Sequence, residues 1–512
     1  MSRRRLAAGA AVALLGCACA RQQPGAVQLT LWGLGREGEV VRELIPEFER
    51  THPGVTVRVQ QIPWSAAHEK LLTAFVGEAT PDVAQVGNTW IPELAALGAM
   101  LPLDERVAAS AGFDPGDFFP GPWGSNVVDG RLWGLPWYVD TRLLFYRKDL
   151  LRQAGYDEVP RTWSGWREAM ARIRATGPPG RWGALLPTDE WFQPVIFALQ
   201  KGSTILDPEG RHGAFREAPF REAAAFYLSL FEADLAPAAS INQIANRYQQ
   251  IAAGELVFYV SGPWDLGEFS RRLPPALADA WTTAPLPVPD GTPWPGASLA
   301  GGSSLVLFRG SRHPEEAWQL MRYLTSPPAL LALYRLAGDL PPRASVWGEA
   351  ELAGDQRLAA FRTQLEAAKP TPLVPEWERV ATAIGERMDA AIRGGVSLED
   401  TLAALDADVE KMLAKRRALL DRKKAKSPAP PGGPSASLGA TTGTVRQVTP
   451  MSSRAQGRRP EAEGSLLGGG PGLESPGYPG RVAARRPSPV AQRRIDGSRG
   501  VQPPAKGGAR RP

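Results

Sequence analysis

After residue 19 the chain contains no cysteine, although it runs on to residue 512. That absence excludes a disulfide framework, a zinc–thiolate site and a cysteine nucleophile from the body, and leaves stability to the burial of apolar surface. Histidine is nearly as scarce. The four, His52, His68, His212 and His313, stand at no metal-ligand spacing, and His52 and His313 each precede proline. No Gly-x-Ser-x-Gly elbow and no Walker phosphate loop occur, so those hydrolase and nucleotide chemistries have no anchor. Carboxylates are plentiful, and residue types alone leave a secreted carbohydrate-active enzyme open.

The only cysteines, Cys17 and Cys19, end a short amino-terminal segment. Arg3, Arg4 and Arg5 precede an apolar run over 6–15 and then Gly16-Cys17, the layout of a secretion signal. The run falls short of the roughly 20 apolar residues that a permanent membrane helix needs. Because it ends on cysteine rather than on Ala-x-Ala, it resembles a bacterial lipoprotein signal. Residues 1–16 are then the signal peptide, 17–26 a lipidated linker and Cys17 the acylated residue. Cys19, an ordinary cleaved signal and twin-arginine export through Ser2-Arg3-Arg4-Arg5-Leu6 are arrangements that the same residues fit. In each case the expected location is extracytoplasmic, periplasmic or on the outer face of the cytoplasmic membrane.

The net charge of +6 is unevenly shared. Residues 427–512 hold 13 of the 59 Lys and Arg and 4 of the 53 Asp and Glu, so this stretch carries +9 and the rest −3. Its Pro, Gly, Ser and Arg offer no apolar periodicity to offset the entropy of ordering, and a disordered tail is expected. On an exported chain nucleic acid is not an expected partner. The 43% apolar content supports more than one core in the remainder.

From residue 27 strand and helix patterns alternate. Val27-Gln28-Leu29-Thr30-Leu31-Trp32 reads as a strand, 37–50 as a helix stopped by His52-Pro53-Gly54, and Val55, Val57 and Val59 as a second strand. A helix over 66–76 and a strand over 82–86 follow. Strands joined by helices of this length imply an α/β fold with mostly parallel sheet and a site where loops leave the strands' carboxyl ends. In one such loop Gly33-Leu34-Gly35-Arg36-Glu37-Gly38 matches the dinucleotide fingerprint. The acid expected roughly 20 residues later is missing, because the second strand ends Val59-Gln60-Gln61. The glycines are therefore expected to let backbone approach a polar ligand, and no cofactor is expected.

Longer stretches carry a resemblance. Pro81-Asp82-Val83-Ala84-Gln85-Val86, Trp90-Ile91-Pro92-Glu93-Leu94, Gly130-Arg131-Leu132-Trp133-Gly134-Leu135-Pro136 and Asp140-Thr141-Arg142-Leu143-Leu144-Phe145-Tyr146 come in order. Ala253-Gly254-Glu255, Ser261-Gly262-Pro263-Trp264, Gly301-Gly302-Ser303 and Tyr323-Leu324-Thr325-Ser326-Pro327 follow. Together they resemble the extracellular solute-binding proteins that serve bacterial ABC importers of sugars. The resemblance implies a two-lobed periplasmic-binding-protein-like fold with crossing hinge segments and an inter-lobe cleft. Lobe 1 would comprise 27–138 plus about 285–308, and lobe 2 139–284 plus about 309–426, ending in a helix over 398–419. It also implies a monomer that captures a mono- or oligosaccharide and hands it to ABC permease subunits, without catalysis or metal.

Sixteen tryptophans, several beside polar loop residues, fit a sugar ligand independently, since a pyranose presents an apolar face to stack and a hydroxyl rim to bond. Most of them are expected in cores. Carried over residue by residue, the resemblance implies ligand contacts at Glu37, Asn88, Trp90, Tyr138, Asp140 and Trp264, and through the backbone of Gly301 and Gly302. Arg343 and Trp377 are further candidates. Glu37 reads equally as a helix N-terminal charge, and Arg343 as structural. The alternative ligands are a non-sugar solute such as glycerol phosphate or a peptide. Phosphate would demand convergent Arg or Lys, which these loops lack.

Overall fold

The computed structural model describes residues 27–244 and 246–426. The expected signal segment and lipidated linker over 1–26, with Cys17, and the expected tail over 427–512 lie outside them. Nine strands form two sheets: β1 Val27–Leu34, β2 Val55–Ile62, β3 Val83–Gly87, β4 Gly134–Asp140, β5 Leu143–Arg147, β6 Trp182–Leu185, β7 Leu256–Ser261, β8 Trp281–Ala284 and β9 Gly301–Leu307. The first sheet runs β2-β1-β3-β9-β4 and the second β8-β5-β7-β6. Each is packed with helices, which makes two α/β lobes.

The opening β1 to β3 unit is parallel, as helix-length connections require. β9 then enters antiparallel to both β3 and β4. It arrives from the other lobe rather than through a helical crossover, so the crossover rule does not set its direction. In the second sheet only β6 and β7 pair in parallel. The expectation of mostly parallel sheet thus holds for residues 27–87 and not beyond.

The helix expected over 37–50 is broken into Glu37–Val40, a single tight turn Val41–Glu43 and Ile45–Thr51. Pro46 lacks the amide hydrogen needed to continue the ladder across that point. The last helix, Leu398–Lys426, runs seven residues past the expected end at 419. Leu402, Leu405, Val409 and Leu413, spaced three or four apart, are wholly buried along one stripe of it.

The chain crosses between the sheets three times. Thr141 and Arg142 alone separate β4 from β5, the 285–300 segment leads back to β9, and a third passage precedes the helix Gln356–Glu366 on the second sheet. Before that third passage, Pro314–Leu324 packs against β1 and β9, and Pro327–Ala337 against the helix at Glu37. Residues 314–337 therefore belong with the first sheet, not with the second lobe where the sequence reading put everything after 308. Their apolar stripe, including Leu320, Met321 and Leu324, is complementary to the outer face of the first sheet.

Candidate ligand-binding cleft

A cleft of ≈ 480 Å³ lies where the lobes meet. The first lobe contributes Glu37 after β1, Trp64 at the start of the helix Trp64–Val76, and Gly87-Asn88-Thr89-Trp90 after β3. These are the carboxyl ends of strands, where connecting loops converge. The second lobe contributes Trp191, Pro263, Trp264 and Glu378, and the crossings contribute Asp140, Arg142 and Leu299-Ala300-Gly301-Gly302.

Four indoles line it, two from each lobe. Trp64 meets Trp90 edge-on at 5.8 Å between ring centroids, and His68 backs Trp90 at 5.0 Å. His68 Nε2 lies 2.7 Å from Glu93 Oε2, and that bond holds the imidazole above its ordinary pKa. Trp264 is 49% exposed and Trp64 36%, unusual for indoles in a folded chain. Such open flat faces beside carboxylates suit ligands with both apolar and hydroxylated surfaces.

Glycine is required where side chains would collide with this wall. A Cβ on Gly301 would overlap Asp140 Oδ1, and one on Gly302, at φ +117°, would overlap the Tyr138 carbonyl. The register of β9 on β4 shifts just beyond, between Ser303 and Ser304. The glycine-rich loop after β1 works differently from expectation. Gly33 and Gly38 press backbone to backbone, while Gly35, at φ +50°, lies under the Trp64 ring. These three glycines seat the protein's own indole and close a turn.

Asp140 ends β4, and Arg142 Nη1 donates to its Oδ1 at 2.6 Å. The guanidinium lies 4.4 Å from the Trp264 ring centroid and 4.7 Å from that of Phe192, so the crossing residue is clasped by the second lobe. Ser298 Oγ donates to the Arg142 carbonyl at 2.7 Å, which ties two crossings together.

Two carboxyl oxygens at the first-lobe side, Glu37 Oε2 and Asp339 Oδ2, are buried with no hydrogen-bond partner. Burial raises the Glu37 pKa, and the Trp64 and Gln85 donors nearby counter this only in part. Asp339 is held well above the usual carboxylate range by burial and by the charges of Glu37 and Asp140. Burial and the same acids push the Tyr138 phenol up, so it stays protonated and able to donate.

Glu37, Asn88, Trp90, Tyr138, Asp140, Trp264, Gly301 and Gly302 are thus brought together at one cleft. Asn88 differs in use from expectation: its Nδ2 donates to the Ala300 carbonyl at 2.8 Å and to Ser125 Oγ at 3.2 Å. One amide hydrogen braces the loop before β9 and the other ties Asn88 to Ser125, and an Asp there would set a carboxylate against the Ala300 carbonyl.

Arg343 and Trp377 are not brought to the cleft. Arg343 is buried elsewhere in the first lobe, 3.2 Å from Asp117 Oδ2, with Phe118 at 4.2 Å and Phe113 at 4.9 Å beneath its guanidinium. Trp377 is 1% exposed in the core, edge-on to Trp191 at 5.4 Å. Residues that sequence reasoning missed include Trp64, Arg142, Trp191, Asp339 and Glu378. Trp64 had one usable signal, its place directly after Pro63 at the end of a strand.

Among the described residues no group of three or more His, Cys, Asp or Glu is placed to hold a metal ion, and no helix is long and apolar enough to cross a membrane.

Two α/β lobes, three crossings and an aromatic, acid-rimmed cleft between them define a ligand-capturing protein built around a hinge. The chain belongs to the bacterial extracellular solute-binding protein family, whose model matches residues 32–330. It is similar to the sugar-binding protein MalE of Xanthomonas citri, at 45% identity and a TM-score of 0.75 over 77% of this chain and 100% of that one. The diacetylchitobiose binding protein DasA of Streptomyces coelicolor is 24% identical over 384 residues, covering 73% of this chain and 87% of DasA. A mannitol-binding protein of Pseudomonas aeruginosa is 27% identical over 414 residues, 74% of this chain and 92% of that protein.

Proposed function

We propose that this protein captures a sugar outside the cytoplasm by closing its two lobes over it, and delivers it to the membrane subunits of an ABC importer. The observation that carries the reading is the cleft itself: two indoles from each lobe face a rim of carboxylates, a phenol and glycine backbone. Relatives named for MalE-type sugar binding, diacetylchitobiose and mannitol support the same ligand class. Ligand contacts are assigned to Glu37, Trp90, Tyr138, Asp140, Trp264 and the Gly301-Gly302 backbone. Asn88 braces the site, and capture and release occur without bond cleavage.

The protein acts as a monomer, acylated at Cys17 and held at the outer face of the cytoplasmic membrane, its amino-terminal segment being the support for that anchor. Incorporation of labelled palmitate into the full chain, lost in Cys17→Ser, tests the anchor. Thermal melting of the mature chain against maltose, diacetylchitobiose, mannitol and tagatose tests the ligand. Binding to the folded state alone adds roughly 2.7 kcal/mol at a hundredfold excess over the dissociation constant. A shift with unaltered sugar on recovery supports the reading, consumption of the sugar overturns the binding mechanism, and no shift across the panel overturns the sugar assignment.

A further inference from the structure

Asp339 was singled out by no motif, yet it occupies a demanding place. It follows Gly338, which ends the helix Pro327–Ala337 at φ +83°, and precedes Leu340, whose backbone bridges Val139 of β4. The turn thereby places an aspartate of one element beside Glu37 of another and Asp140 of a third, all lining the cleft. Asp140 has its counter-charge in Arg142. Glu37 and Asp339 do not, and each keeps one buried oxygen unpartnered.

The other charged groups near this pair are few. Arg36, whose charge is the last of the influences on both carboxyls and opposes their rise, is exposed and pairs with neither: its Nη2 donates to the Leu336 carbonyl at 3.0 Å and its Nη1 lies 4.0 Å from Glu39. Tyr138 lies beside the pair as a protonated phenol. Glu378 from the second lobe adds another acid to the cleft, and Arg142 is the one cation among its described lining residues. Buried carboxyl oxygens without donors are costly, more so when charged, unless something supplies the missing hydrogen bonds.

We propose that Glu37 and Asp339 form an acceptor pair that takes two hydroxyl donors from one bound sugar, and that Asp339 sets the preference of the cleft for uncharged sugars over phosphorylated or uronic ones. This deepens the sugar-binding reading and rests on it. The chemistry follows from the balance of charge. A neutral polyol completes both carboxylates with O–H donors, whereas a phosphate or uronate brings a further anion to acids that lack a cation of their own.

A protonic consequence follows. In the free protein burial and mutual repulsion favour the protonated form of the pair. Hydroxyl donors favour the ionised form, so binding expels a proton into solution. Affinity therefore rises with pH through the raised range of the free pair and levels off above it. Below that range the carboxyls are protonated and cannot accept in the same way.

Titration calorimetry of the mature protein tests this with maltose, diacetylchitobiose, mannitol and tagatose, and with glucose 6-phosphate and glucuronate, in pairs of buffers of different ionisation heat between pH 5 and 8. The expected result is net proton release by the wild type with the neutral sugar it binds. Asp339→Asn should show little release, at least tenfold weaker binding of that sugar, and a discrimination against the anionic probes at least tenfold smaller. Proton release in the wild type is read without any variant, so its absence throughout the range overturns the proposal whatever the folding of Asp339→Asn. Sugar binding by Asp339→Asn with unchanged affinity and selectivity also overturns it, while leaving sugar capture standing. Failure of the wild type to bind any probe overturns both.

Discussion

Arg142 clamps Asp140 at 2.6 Å while its guanidinium lies over the Trp264 ring, 4.4 Å from the centroid, so a residue of the crossing joins the acid of one lobe to the exposed indole of the other. An acid two residues away and an indole more than a hundred residues away are fixed by one guanidinium, and its planar, multi-donor shape is what allows both contacts. Arg142→Lys should keep the charge, lose the stack and the fixed geometry, and weaken sugar binding about tenfold or more. Titration calorimetry with the sugar that shifts the melting temperature checks it, and an unchanged dissociation constant would show the clamp to be dispensable.

Trp264 and Trp377 should answer oppositely to truncation. Trp264→Ala removes a half-exposed ring, so the expected loss is in affinity, about tenfold, which corresponds to roughly 1.4 kcal/mol. Trp377→Ala opens a cavity in a core and should cost about 3–5 kcal/mol of stability. Urea midpoints and dissociation constants for the two variants separate the roles.

Gly301→Ala should act on Asp140 from behind. Its methyl group would occupy the position of Asp140 Oδ1, so the carboxylate must move off Arg142 or the strand must shift. Sugar affinity is expected to fall at least tenfold while the far-ultraviolet circular dichroism stays that of the wild type. Gly254→Ala, at a left-handed position distant from the cleft, serves as a control that loses stability without losing affinity.

The pH dependence of stability should carry the mark of Glu190, whose carboxyl burial pushes up to about 7 against an ordinary value of 4.5. Between those values the folded chain keeps a proton that the unfolded chain has given up. The stabilisation is thus complete below 4.5 and is lost as the pH rises through about 7, by at most roughly 3 kcal/mol. Glu190→Gln should be more resistant to urea than the wild type at pH 8, with the difference shrinking at pH 5. Parallel midpoints for the two proteins at both values would remove Glu190 as the source.

Arg343→Ala should unfold more easily and bind as before. The pair with Asp117 is mostly buried, with side chains 8% and 16% exposed, and truncation leaves the carboxylate its bonds from Ser345 but no counter-charge, at a cost of about 3 kcal/mol. A fall in sugar affinity matching the fall in stability would place Arg343 back in the binding apparatus.

Sequence order explains which features were legible. Asp140, Gly301 and Gly302 stand in the ordered motifs that carry the family resemblance, and local alternation was enough to read β1, β2 and β3. Asp339 stood in no such motif, because its partner Glu37 lies some three hundred residues earlier and only the packing of Pro327–Ala337 on the first lobe brings them together. The same packing defeated the lobe boundary: an amphipathic helix shows that it must be covered, not which sheet covers it. Trp377 illustrates the reverse error. An indole at a helix start reads the same whether it faces a ligand or a core, and here Trp191 stands between it and the cleft.

Only Thr141 and Arg142 lie between β4 of one lobe and β5 of the other, and Arg142 and its near neighbour Asp140 both face the cleft. Recognition and articulation are consequently not separable inventions in this chain. A substitution at Asp140 or Arg142 that retunes what the cleft accepts also alters the stiffness of its shortest tether, so at these two positions selectivity and the balance between open and shut forms are inherited as one trait.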